Sequence, residues 1–189
     1  MEQEKMTIDA LRHDCAVKQK KGLHFILASV FIWTAILAVH LTSLPWDTKN
    51  LLTFCCACPL VPLAFFISKL IKVDFQGKDN PLTKLGLLFS INQILYILIA
   101  MWVMNAVPEK MLMVYAMIFG AHLMPYSWLY KSNTYMVLSV VVPIATLVVG
   151  LLADAWVLAA MMLSVEILFS LCLMYEVSAT IHSGSQNTN

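Results

Sequence analysis

A single carboxylate, Glu166, stands near the middle of an apolar run from Ala155 to Tyr175. At about 1.5 Å of helical rise per residue this run extends roughly 31 Å, the thickness of a bilayer's hydrocarbon core. An ionisable side chain at that depth costs several kcal/mol unless it is paired, neutralised or hydrated. Counting rise along the neighbouring runs puts Asn92 and Gln93 roughly 15–17 Å, and His122 about 10 Å, from one boundary, with Glu166 roughly 17 Å from the other. Four polar side chains on three expected helices therefore share the middle of the membrane. Tyr96 follows Asn92 by four residues and Tyr126 follows His122 by four, so each lies on its neighbour's face. No lysine or arginine sits at this depth, so Glu166 must be protonated, hydrogen-bonded to Asn92, Gln93 or Tyr96, or paired with His122. A carboxyl and an imidazole in one low-dielectric pocket can exchange a proton near neutral pH. These residues define the expected ligand-binding pocket: Asn92, Gln93, Tyr96, His122, Tyr126 and Glu166.

The other reactive residues carry less. Cys55 and Cys58 form a C-x-x-C inside an apolar run and lack the His or Met partners of a soft-metal site. His122 and Glu166 supply two ligands where zinc takes three or four, so no metal and no cofactor is expected. No H-E-x-x-H, G-x-S-x-G or phosphate-loop pattern occurs. The expected function is binding or transport of a small molecule through the polar pocket. Two alternatives use the same residues differently: an intramembrane lipid-modifying enzyme with Glu166 and His122 as acid and base, and an accessory subunit in which the polar groups are interhelical glue.

The elements that must position these groups follow from composition. Of 189 residues, 60% are hydrophobic and 12% charged, half the charge of a typical soluble domain at about 25%. A formal net charge of +1 argues against nucleic acid as a partner and leaves membrane lipids, a small-molecule ligand, and further copies or a partner subunit. The pattern predicts an all-α, polytopic membrane protein. Residues 1–22 form a basic segment with a short interfacial helix that Thr7 caps. Residues 23–177 carry six spans, near 23–44, 51–71, 82–104, 109–130, 134–152 and 155–175, and residues 178–189 form a disordered tail. Asn80-Pro81 starts the third span, an asparagine cap followed by a proline that needs no amide hydrogen. Ten of the twelve basic residues fall on the side of the termini, and two, Lys49 and Lys110, on the other. By the positive-inside rule both termini are cytoplasmic.

The segments KVDFQGKDNPLTKLGLLFS and AVPEKMLMVYAMIFGAHLMPYSWLYKS resemble a family of small membrane proteins from Bacillus-type bacteria, known only as a domain of unknown function. The resemblance covers about residues 10–177. It implies a bacterial plasma-membrane protein and brings no catalytic residues with it. In size and topology the chain is also similar to the substrate-binding subunits of energy-coupling-factor vitamin transporters. The Ala-x-x-x-Ala docking motif of their first helix is absent from the first span here, which holds Ala28, Ala35 and Ala38.

Overall fold

A computed structural model describes residues 7–75 and 79–186, the last six through their backbone alone. Lys5, Lys78 and the final three residues of the expected tail fall outside it. Every regular element is a helix, and no strand occurs among the described residues. In chain order these are α1 (Ile8–Lys18), α2 (Leu23–His40), α3 (Trp46–Ala57), α4 (Leu60–Leu70), α5 (Leu82–Ala106), α6 (Met111–Ala121), α7 (Met124–Leu129), α8 (Asn133–Leu152) and α9 (Ala155–Gln186). Among the described residues, six helical stretches are long and apolar enough to cross a membrane: Lys20–His40, Trp46–Leu70, Leu82–Ala106, Pro108–Leu129, Asn133–Leu152 and Ala155–Thr180.

Two of these stretches are interrupted for identifiable reasons. Pro59 separates α3 from α4, since its ring removes an amide donor and crowds the preceding turn. Pro125, in the first turn of α7, lets the chain step from α6 to α7 across His122 and Leu123. Pro143, by contrast, lies inside an unbroken α8. The last helix also departs from expectation. Rather than ending near residue 177 in a disordered tail, α9 runs on to Gln186.

The most extensive helix pairs are α2 with α9 and α6 with α8. Between them lies a core of Trp33, Ile36, Leu112, Ala116, Leu158, Ala159 and Met162, all fully buried. Small residues let the α6–α8 axes approach, as is usual where helices pack without a hydrophobic drive. A Cβ on Gly120 would stand 2.6 Å from Pro143 Cδ, and one on Gly150 would stand 2.4 Å from Met113 Cγ.

At the end of the bundle where α9 finishes, α1 packs against α5, α7 and α9. Thr7 accepts from the Ala10 amide at 3.3 Å, the cap the sequence suggests. Arg12 Nε donates to Trp128 O at 2.8 Å, and its guanidinium covers the Trp128 ring at 4.5 Å. Asn80 Nδ2 donates to Leu11 O and to Asp14 Oδ2, at 2.8 and 2.9 Å, while its Oδ1 accepts from the Leu82 amide at the start of α5. Burial raises the Asp14 carboxyl, but Lys18 and the Asn80 amide outweigh it and hold it below its usual range. Burial also pushes the Cys15 thiol, on the inward face of α1, up to about 11.

The turn from α1 into α2 is left-handed at three consecutive residues, Lys20, Lys21 and Gly22, with φ of 44°, 51° and 74°. Lys72 and Lys131, at 55° and 49°, occupy the position after a helix end that glycine usually takes. The following amides close the helices, Val73 N donating to Ser68 O at 2.8 Å and Ser132 N to Ser127 O at 3.1 Å. A lysine there accepts backbone strain and sets a positive charge against the negative end of the helix dipole.

Candidate functional site

Glu166 comes from the middle of α9, where that helix meets α2, and is fully buried. Ser29 of α2 faces it there, and Ser170, also buried, lies one turn further along α9. Ser29 Oγ lies within hydrogen-bond reach of Glu166 Oε2, and also 2.8 Å from Ile26 O of its own helix. Ser170 spends its hydroxyl on the Glu166 backbone carbonyl at 2.9 Å, not on the carboxyl. Glu166 Oε1 has no hydrogen-bond partner. Three further buried side-chain atoms share that condition among the described residues: His24 Nδ1, His40 Nδ1 and Asn50 Oδ1. Glu166 is the one carboxyl among them.

The other five expected pocket residues form two groups, and neither hydrogen-bonds to the Glu166 carboxyl among the described residues. His122 sits at the step between α6 and α7, where its Nδ1 faces Phe119 O and its ring meets Tyr126 edge-on at 5.9 Å. Tyr126 shares a hydrogen bond with Ser90 Oγ at 2.7 Å and reaches Gly86 O at 3.2 Å, tying α7 to α5. Its ring also stacks on Tyr130 and leans on Tyr135, whose ring meets Phe169 of α9 edge-on at 4.8 Å. Ring contacts thus lead from His122 through Tyr126 and Tyr135 to Phe169 of α9. No ion pair joins His122 to Glu166 among the described residues.

Asn92 and Tyr96 lie on the exposed face of α5 and bond to each other, Nδ2 to the phenol oxygen at 2.9 Å. Gln93 is half-buried beside them. Two clefts stand out in the bundle, and both are at its ends. One of about 150 Å³ is lined by Trp46, Glu109, Lys110 and Asp154, the other, of about 240 Å³, by His13, Lys21, Tyr130 and Lys131.

A second carboxyl, Glu176, lies ten residues further along α9 and was not among the expected site residues. It accepts from Lys21 Nζ at 2.9 Å, Ser132 Oγ at 2.6 Å, and Thr134 N and Oγ1 at 2.9 and 2.7 Å. Lys21 is itself buried, and its carbonyl accepts from Tyr135 Oη at 2.9 Å. The left-handed turn at Lys20–Gly22 is what brings Lys21 to this carboxyl. Another buried polar cluster closes the opposite end, where His40 Nε2 meets Thr53 Oγ1 at 3.1 Å and Asn50 Nδ2 donates to Pro108 O at 2.9 Å.

A model for a family of unknown function, DUF7010, matches residues 8–176, nearly the whole chain. No curated protein and no solved structure matches it.

Proposed function

The chain belongs to the DUF7010 family of unknown function, and for it we propose a six-span protein of the bacterial plasma membrane that binds or moves a small molecule by proton exchange at Glu166. The observation that carries this reading is the condition of that carboxyl, fully buried with one oxygen on Ser29 and the other without a donor. Ser29 has one hydroxyl hydrogen and two acceptors, Ile26 O and Glu166 Oε2. Both contacts are hydrogen bonds at once when Oε2 carries the proton and donates to Ser29 Oγ, leaving the Ser29 hydrogen on Ile26 O. When that proton leaves, Ser29 must turn its hydrogen to Oε2. Gain and loss of the proton are therefore coupled to a turn of the Ser29 hydroxyl at the α2–α9 contact. Oε1 is the acceptor that remains for a cationic or hydrogen-donating group of a ligand.

Six apolar helices support placement in a membrane, and ten basic residues against two support cytoplasmic termini. An acid–base pair of Glu166 with His122, as the enzyme reading needs, has no support from the His122 contacts, which go to Phe119 and Tyr126. The test is carbodiimide modification of the protein in its native membrane, since these reagents add to carboxyls that carry a proton in apolar surroundings. Glu166 becomes modified while Glu176 does not, and native mass spectrometry of wild type beside Glu166→Gln shows a co-purifying small molecule lost in the variant. An unmodified Glu166, together with identical spectra for the two proteins, overturns the proposal.

A further inference from the structure

Helix α5 differs from the other five spans in how little of it the chain covers. Only 11% of its apolar stretch is buried, against 22–50% for the others. Along its exposed side Leu88, Asn92, Leu95, Ile99 and Trp102 recur at intervals of four, three, four and three residues. That is the spacing of a left-handed helix–helix seam, in which one polar residue among apolar ones sets register and the number of helices. The neighbouring stripe of Leu87, Ile91, Ile94 and Leu98 is equally exposed and wholly apolar, as a surface facing lipid should be.

The seam's polar residue is paired but not satisfied. Asn92 Nδ2 donates to Tyr96 Oη, and the pair makes no other hydrogen bond among the described residues. One acceptor, Asn92 Oδ1, and two donors, the Tyr96 hydroxyl and the second Asn92 N–H, are left over. In hydrocarbon such groups find partners on another helix. The leftovers are complementary to themselves. A second copy related by a two-fold axis along the membrane normal places Asn92 opposite Asn92 at the same depth, where the Oδ1 of each copy accepts from the other. Any other partner would need its own polar group at that level.

We propose that α5 is a homodimerisation helix, its Leu88–Trp102 seam packed against the same seam of a second copy, with the Asn92–Tyr96 pairs hydrogen-bonded reciprocally across the two-fold axis. The proposal needs α5 to lie in a bilayer and is independent of any role for Glu166.

The test uses the full-length protein reconstituted in liposomes over a range of protein-to-lipid ratios, with subunits counted by single-molecule photobleaching. Wild type is dimeric, Asn92→Leu weakens the dimer about tenfold, as expected for two lost interhelical hydrogen bonds, and Asn92→Gln retains it. Oxidative cross-linking in native membranes joins subunits through Leu95→Cys but not through Ile94→Cys, the latter lying on the apolar stripe. Monomeric wild type at all ratios, Asn92→Leu dimerising like wild type, or equal cross-linking at both positions would each overturn the proposal. Thermal unfolding of Asn92→Leu, expected to match wild type because the side chain is exposed, separates lost association from lost folding.

Discussion

The two carboxyls of α9 stand ten residues apart and have opposite surroundings. Glu176 accepts four hydrogen bonds, one of them from an ammonium, and both of its oxygens are engaged. Glu166 is more deeply buried yet has a single partner and a bare Oε1. Evolution of a stable bundle explains Glu176 completely, because it fastens α9 to the α1–α2 turn and to the start of α8. It explains Glu166 less well, since that carboxyl has one partner, Ser29, and an oxygen without a donor. A buried acid with so few partners is the observation on which the proposed proton exchange rests.

That contrast is breakable. The largest effect is expected for Glu176→Leu, which leaves Lys21 charged, buried and without its carboxylate. Removing one member of such a pair costs about 3 kcal/mol, read as a fall in the unfolding midpoint of the detergent-solubilised protein. The double variant Lys21→Met with Glu176→Leu recovers much of it. Next comes Thr134→Ala, which removes one hydrogen bond to an ionised group, worth about 1.5 kcal/mol, and keeps the backbone amide contact. Glu166→Leu is expected to change stability by less than about 1 kcal/mol in either direction, while carbodiimide modification of the 155–180 peptide disappears. If Glu166→Leu proves as damaging as Glu176→Leu, the carboxyl is structural after all and the contrast fails. The smallest effect is at Ser29→Ala, a loss of about 0.6 kcal/mol. There the sharper readout is the pH dependence of carbodiimide modification, which moves when the group exchanging hydrogen bonds with Oε2 is gone.

The six apolar stretches were legible because bilayer-length runs between polar turns leave few other readings. So was Glu166, a lone acid far from any positive charge. Ser29 was not, because a serine in an apolar run is unremarkable until span one is known to lie against span six. Asn92 and Tyr96 were legible as neighbours on one face through their spacing of four. The direction of that face was not, since the polar residues Ser90, Asn92 and Gln93 fall on different sides of α5 and do not mark which side meets the bundle. Glu176 was hidden by reading the last span as ending at Tyr175, one residue short of it. His122 closes α6 next to the step that Pro125 makes into α7, and its imidazole meets Phe119 and Tyr126.

The pairing of α2 with α9 also has a consequence in time. Ser29 and Glu166 are 137 residues apart, and at roughly 5–20 residues per second of synthesis the hydroxyl waits about 7–30 s for its carboxyl to be made. During that interval Ser29 is satisfied by Ile26 O, so α2 can form without its eventual neighbour. The acid belongs to α9 and is made only after α2 has been synthesised. A chain cut short before α9 therefore keeps the Ser29 hydroxyl, satisfied by Ile26 O, and lacks the carboxyl that it meets in the complete bundle.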